Sequence, residues 1–237
     1  MTPLDRHERI ALSFSGGKDS LCVAHMLRPQ WDRITFYHVD AGDLLPEVMA
    51  IVADMEKMVP RFVRIESNSR AWIKANGLPA DLVPHTGTPE GQWFGSLQKI
   101  TSRYNCCASN LWLPLHNRLV EDKITLVIRG TKRVDMPSLP DTQRGPYEVY
   151  MPILDWTNEE VFSYLHAIGA PVSKLYDYTE NSPECATCSA WHAEKRAAYL
   201  RKFHPELFKE YASKLQRVAM EIQPIHAQLV AELQEMV

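Results

Sequence analysis

The run Ser15-Gly16-Gly17-Lys18-Asp19-Ser20 constrains this chain more than any other stretch. Ahead of it stand Ile10-Ala11-Leu12-Ser13-Phe14, apolar and β-favouring, and behind it Leu21 to Leu27, which reads as a helix. The run is therefore a turn from a buried strand into a helix. Two adjacent glycines let the backbone turn tightly and approach a ligand, and a helix start aims N–H groups at whatever lies there. An anion suits that position best. Ser15 and Ser20 offer hydroxyls and Lys18 a positive charge, so a phosphate or pyrophosphate is the expected ligand. The spacing matches neither G-x-x-x-x-G-K-[ST] nor Gly-x-Gly-x-x-Gly. A plain glycine turn is the alternative reading.

Strands and helices continue to alternate after this turn. Arg33 to Val39 reads as a second buried strand ending at Asp40-Ala41-Gly42, and Pro46 opens a helix with Val48, Met49, Ile51, Val52 and Met55 at helical spacing. Arg61 to Ile65 alternates like a strand, and Ser69 is read as the cap of a short helix through Ile73. This order predicts an α/β fold: a mainly parallel twisted sheet with helices on both faces and a ligand site at the carboxyl ends of its strands. Residues 77 to 95 predict a loop covering the site. Leu111 to Val120 predicts a helix and Ile124 to Ile128 a strand, which opens at Arg129-Gly130-Thr131-Lys132-Arg133 into a polar segment, 134 to 146, flexible without ligand. Thr157 with Glu160 three residues on forms a capping box, and Gly169 ends that helix.

From Ala193 to Val237 two or three helical segments broken at Pro205 and Pro224 are expected. The chain then divides into a nucleotide-binding α/β domain, residues 1–192, and a C-terminal helical appendage, 193–237. Lys195, Arg196, Arg201 and Lys202 predict a basic face, either solvated or meeting a polyanion. A length of 237 residues accommodates such a domain and its appendage. No apolar run reaches the length of a membrane span, and Met1 to Glu8 lack an apolar signal core, so a cytoplasmic protein without a membrane is expected. A net charge of −3 argues against nonspecific coating of nucleic acid, while a local basic patch stays open. The five cysteines suggest metal or redox chemistry rather than disulfides, with Cys22 in the core of the first helix.

Several separated pieces resemble one family, the phosphoadenosine-phosphosulfate reductases of the PP-loop (ATP pyrophosphatase) superfamily. They are Ser15 to Ser20; Asp40-Ala41-Gly42 with Pro46-Glu47; Cys106-Cys107 with Pro114-Leu115; Gly130 with Arg133; Pro152 to Thr157; Leu175-Tyr176-Asp177; and Cys185-x-x-Cys188. The resemblance implies an adenine nucleotide held by Ser13, Ser15, Gly16, Gly17, Lys18, Asp19, Ser20, Asp40, Gly130 and Lys132. It implies catalytic roles for Lys18, Asp19, Arg133 and Arg144, with Asp19 orienting the loop or, with Asp40, placing Mg²⁺. Lys132, Arg133 and Arg144 would close over the α phosphate or the acceptor, or remain a solvated basic loop.

The cysteines resemble those of adenylyl-sulfate reductases, in which such pairs hold a [4Fe–4S] cluster. That implies Cys106, Cys107, Cys185 and Cys188 as ligands, although 185 − 107 = 78 positions separate the pairs. A Cys₄ zinc site is the alternative. Adjacent residues on a helix diverge by about 100°, so both reach two irons of a cluster more readily than one ion.

Two departures from the reductases bear on function. Their nucleophile stands in a Glu-Cys-Gly-x-His element near the C-terminus, and this chain has no cysteine after Cys188. They also usually lack the full Gly-Gly-Lys-Asp loop, which is intact here and is retained in members that cleave ATP between the α and β phosphates. The combination resembles the ATP pyrophosphatases of DNA phosphorothioation and, more distantly, thiolases that modify tRNA. It implies an ATP pyrophosphatase acting in sulfur transfer or acceptor adenylation, nucleic-acid modification included. The alternatives are a sulfonucleotide reductase using an external thiol, and a non-catalytic nucleotide-binding subunit of a modification complex. A sulfur donor protein or thioredoxin-like reductant, nucleic acid and a homodimeric copy are the partners to be tested.

Overall fold

Strands form where β-branched and aromatic residues cluster, and in this chain they are short and widely spaced. The computed structural model describes residues 2–80, 100–135, 145–182, 185–190 and 195–236. In chain order it runs β1 (Ile10–Ser13), α1 (Lys18–Met26), β2 (Ile34–Asp40), α2 (Pro46–Met58), β3 (Phe62–Glu66), α3 (Ser69–Asn76), β4 (Leu78–Ala80) and β5 (Ile100–Ser102). Then follow α4 (Arg103–Cys107), a π-helical turn (Ala108–Trp112), α5 (Leu113–Glu121), β6 (Leu126–Ile128), β7 (Glu148–Tyr150), α6 (Asn158–Ala167), α7 (Arg196–Phe203) and α8 (Pro205–Glu235). The chain forms two compact units: Met1–Asp40 with Leu44–Ser67 and Leu113–Glu184, and Ala41–Asp43 with Asn68–Trp112 and Cys185–Val237.

The first unit is an α/β layer structure. Its five strands lie in the order β3-β2-β1-β6-β7, all parallel. Because successive side chains point to opposite faces, Ala11, Tyr37 and Val127 take one face and Ile10, Leu12, Ile34, Phe36, Leu126 and Ile128 the other. All of these are buried, as a parallel sheet covered on both faces requires. Leu119 and Ile124 join the first set, with Leu115 of α5 packed against it. The strand order reverses between β1 and β6. In such sheets the crevice beyond the strand ends at that reversal is where ligands bind.

The second unit has the two-stranded parallel pair β4-β5 and helices α3, α4, α7 and α8. Leu78, Ile100 and Val218 form its buried cluster, with Ile73 and Ile222 packed on it. Beyond Ile222 the α8 residues Ile225, Leu229 and Leu233, and Met236 just after the helix, are exposed.

The expected elements are present with several differences. Asn68, not Ser69, caps α3: its side chain accepts from Ala71 N, while the Ser69 hydroxyl donates to the Ala41 carbonyl at 2.8 Å. The helix expected from Leu111 is preceded by α4 and the π-helical turn, so helical structure begins at Arg103. Pro205 starts α8 rather than breaking it, and Pro224 lies inside a continuous helix. At the first turn a proline forfeits no hydrogen bond. At 224 the surrounding residues are exposed, so water meets the carbonyl that loses its partner. The capping box holds, with Glu160 N donating to Thr157 Oγ1 at 3.2 Å and Thr157 N to Glu160 Oε2 at 2.7 Å. Most of the segments 77–95 and 134–146 falls outside the described residues, although Leu78–Ala80 is strand β4.

Candidate functional site

The turn between β1 and α1 sits at the reversal of strand order. Gly16 has φ +83°, and a Cβ there would meet Val52 Cγ2 at 2.8 Å and Val48 Cγ1 at 3.0 Å, so α2 packs where any side chain would go. The loop is tied by its own serines. Ser15 N donates to Ser20 Oγ at 3.3 Å, Gly17 N to Ser15 Oγ at 3.3 Å, and Ser20 Oγ to the Gly17 carbonyl at 3.0 Å. From β6, Gly130 closes on the first turn of α1: a Cβ on it would stand 2.7 Å from the Asp19 carbonyl carbon and 2.8 Å from Ser20 N. Two strands thus converge on one helix start, whose first-turn amides have no partner four residues back.

An ion chain built on two buried lysines underlies this start. Asp19 accepts from Lys18 Nζ at 2.8 Å through Oδ2 and from Lys132 Nζ at 2.8 Å through Oδ1, and Lys132 Nζ also reaches Asp135 Oδ2 at 2.9 Å. Lys132 is 0% exposed and Lys18 3%. Burial pulls the Lys18 pKa below its ordinary value, with the Asp19 carboxylate opposing. For Lys132, burial acts in the same direction but the hydrogen bonds to Asp19 and Asp135 outweigh it, leaving the pKa raised. Lys132 is therefore a fixed internal cation, which sets aside the alternative of a solvated basic loop for this residue. Its stem is held by burial and its head by two carboxylates.

Tyr176 completes the setting. Its hydroxyl accepts from Lys18 N, at the N-terminus of α1, at 3.0 Å. Its ring packs edge-on against Phe162 of α6 at 5.4 Å, and Lys18 Nζ lies 5.5 Å and 6.0 Å from the two ring centroids. The sequence marks Leu175-Tyr176-Asp177 as part of the family resemblance but not the contact Tyr176 makes, and nothing in it points to Asp135. Nothing in the spacing of either residue signals its partner.

The remaining expected residues are placed as follows. Ser13 ends β1 and Asp40 ends β2, both half-buried at the carboxyl edge of the sheet. Arg133 is outside the ion chain: 55% exposed, its Nε donates to Asp155 Oδ1 at 2.9 Å on the surface. Arg144 lies outside the described residues. Cys22 is fully buried, and burial pushes its thiol up to about 12.

All four cysteines expected to bind metal belong to the second unit. Cys106 and Cys107 end α4, whose start is capped by Ser102 Oγ accepting from Tyr104 N. The Cys106 thiol is pushed up to about 12, first by burial and then by the neighbouring Cys107 and Cys188 thiols. Cys185 and Cys188 flank a tight turn in which Cys188 N donates to the Cys185 carbonyl at 3.4 Å. Asp43 holds that turn: its carbonyl accepts from Ala186 N at 2.7 Å, and its carboxylate from Thr187 Oγ1 at 2.7 Å. Lys214 of α8 donates to Thr187 Oγ1 at 2.5 Å and pairs with Glu210 at 2.9 Å. Arg196, expected on an exposed basic face, is instead 2% exposed and donates to carbonyls of the same turn. Four thiols in one unit, two of them on a turn whose carbonyls and Thr187 hydroxyl are held by Arg196 and Lys214, are the donor type that an iron–sulfur group uses. Among the described residues no three His, Cys, Asp or Glu side chains close on a single ion.

No helix among the described residues is long and apolar enough to cross a membrane. The family model for the phosphoadenosine phosphosulfate reductase domain matches residues 9–191. The phosphoadenosine 5′-phosphosulfate reductase of Xanthomonas campestris pv. campestris is 24% identical over 176 residues, covering 72% of this chain and 67% of that protein. An uncharacterized protein of Methanocaldococcus jannaschii is 23% identical over 224 residues, covering 90% of this chain. The chain spans about half the length of that relative, 49%. A crystal structure of phosphoadenylyl-sulfate reductase from Candida auris, in a phosphate complex, superposes with TM-score 0.55 and 12% identity over 81% of this chain and 86% of that one. At that identity the likeness concerns the fold.

Proposed function

The chain belongs to the phosphoadenosine phosphosulfate reductase domain family, and on that footing we propose that it is a PP-loop enzyme that cleaves ATP between the α and β phosphates. The observation that carries this reading is the complete Gly16-Gly17-Lys18-Asp19 turn, seated where β1 and β6 diverge and backed by Gly130. First-turn amides of α1 and the Ser15 and Ser20 hydroxyls would hold the β and γ phosphates and stabilise charge on the leaving pyrophosphate. In the step proposed, an acceptor oxygen forms a bond to the α phosphorus. The α–β bridging bond breaks, and pyrophosphate leaves with the electron pair. With water as acceptor the products are AMP and pyrophosphate; with another oxygen nucleophile, an adenylate of the acceptor.

Asp19 has both oxygens engaged by lysines, which supports a role in orienting the loop. With Asp19, Asp40 at the end of β2 would help place Mg²⁺, an ion that neutralises phosphate charge when bound. Lys18 and Lys132 act through Asp19, while Arg133, paired on the surface with Asp155, would have to leave that partner to meet nucleotide. We also assign Cys106, Cys107, Cys185 and Cys188 to a [4Fe–4S] cluster, with zinc as the alternative. A cluster takes four thiolates, one on each iron, which is the number these two pairs offer. Bound there, it would position sulfur or stabilise the unit.

A second reading, sulfonucleotide reduction, is favoured by the names of the Xanthomonas and Candida proteins. It requires a thiol from a thioredoxin-class partner. The deciding experiment gives purified protein ATP with Mg²⁺, and separately an adenylyl sulfate or its 3′-phosphorylated form with reduced thioredoxin. Release of AMP and pyrophosphate from ATP supports the first reading. Sulfite release without ATP turnover overturns it.

A further inference from the structure

The Cys185–Cys188 turn is gripped by two cations arriving from two helices. Arg196, the first residue of α7, donates through Nη2 to the carbonyls of Cys185, at 2.8 Å, and Ala186, and through Nη1 to that of Cys188 at 3.3 Å. Its guanidinium carbon lies 4.7 Å from the Tyr211 ring centroid. A guanidinium is charged at any pH a protein tolerates, so a fixed positive charge stands behind the turn at 2% exposure. Lys214, 12% exposed along its side chain, reaches the Thr187 hydroxyl in the middle of the same turn. The acidic groups facing these cations are Asp43, 3.9 Å from Lys214 Nζ, and Glu210, 2.9 Å from it. Arg70 in turn contacts both carboxylates, at 3.5 Å and 3.0 Å.

We propose that Arg196 and Lys214 are positioning residues for a cluster held by the four thiolates: they fix the turn and raise the cluster's reduction potential. The proposal rests on the [4Fe–4S] assignment made above. A cluster core with four thiolates is anionic, and an added electron makes it more so. Net charge and burial are among the factors that set its potential. Positive charge held out of water close to the thiolates favours the reduced state, because the surrounding dielectric screens it weakly. Carbonyl bonds from Arg196 also keep the Cys185 and Cys188 backbone from relaxing when a ligand bond is strained.

The test uses the full chain purified anaerobically as wild type, Arg196→Gln, Arg196→Lys and Lys214→Gln. Iron and sulfide are measured first, then the midpoint potential by titration followed in absorption and electron paramagnetic resonance. Both neutral variants are expected to retain a cluster with a lower midpoint potential, and Arg196→Lys, which keeps the charge without the planar fork, to lie nearer wild type. Potentials equal to wild type in both neutral variants overturn the proposal. Should Arg196→Gln not accumulate folded, Lys214→Gln decides: a lowered potential supports the proposal and an unchanged one refutes it. Wild-type protein holding zinc or no iron–sulfur group would instead overturn the cluster assignment, a distinguishable outcome.

Discussion

Replacing Gly130 with alanine should damage function more than stability. The added Cβ would stand 2.7 Å from the Asp19 carbonyl carbon and 2.8 Å from both Asp19 O and Ser20 N. Carbon–carbon contacts settle at about 3.5–4.0 Å, so strand end and helix start must part by roughly 1 Å. The atoms in the way are a planar peptide group, which has no rotamer to change. Overpacking of this kind costs about 1–3 kcal/mol. At about 2–4 °C per kcal/mol, the melting temperature should fall by roughly 2–12 °C. A reacting geometry displaced by 1 Å loses about 10²-fold in rate, so turnover should drop about a hundredfold in protein that remains folded at the assay temperature. Calorimetry and pyrophosphate release at saturating ATP measure the two quantities. Gly145→Ala is the control, since its Cβ would meet nothing nearer than 3.6 Å and should change stability by less than about 0.5 kcal/mol. Wild-type turnover and melting in Gly130→Ala would refute the close approach of β6 to the loop.

Three further outcomes follow from the geometry. Asp19→Ala takes the carboxylate from Lys18, whose side chain is 1% exposed, while Lys132 keeps Asp135, and should cost about 3 kcal/mol in denaturant unfolding; a loss below about 1 kcal/mol would show that the ion chain is not structural. Hydrogen bonds from the Thr157 backbone and hydroxyl lower the Glu160 pKa below its ordinary 4.5, so the capping box stabilises α6 above that pH and fades as pH falls through the lowered folded value. The melting difference between wild type and Thr157→Ala, about 1 kcal/mol near neutrality, should therefore narrow in acid, and a gap constant from pH 7 to pH 3 would refute the assignment. On the cluster proposal the wild type should carry about four irons per chain, and Cys188→Ser should lose most of them and the brown colour; full iron retention would remove Cys188 from the ligand set.

What the sequence makes legible is what depends on neighbours along the chain. The Ser15 to Ser20 turn depends on two glycines and a following helix, and the box at Thr157 and Glu160 on a spacing of three. Both are local, and both are read from the residues. Asn68 and Ser69 show the limit of such reading, because either caps a helix and only the Ala41 carbonyl, which takes the Ser69 hydroxyl, decides between them. Lys132 sits in a polar run that reads as solvated, yet Asp19, 113 positions earlier, draws it fully inside. Arg196 belongs to a basic cluster that reads as surface until the turn carbonyls and Tyr211 claim it. Pro224 has no local excuse within a helix; the cost of about 3 kcal/mol is borne by α8 as a whole.

The strand order has a consequence for how the protein is made. β1 pairs on one side with β2 and on the other with β6, and Ile10 meets Leu126, 126 − 10 = 116 residues later. At about 5–20 residues per second, a ribosome needs roughly 6–23 s to deliver that partner after β1 has been synthesised. During this interval β3, β2 and β1 can assemble, but β1 presents an open, apolar edge that invites pairing with other chains. Asn68–Trp112, destined for the other unit, is synthesised within the same interval. The Ser15 to Ser20 turn is thus synthesised well before it gains its full support, since Gly130 follows β6.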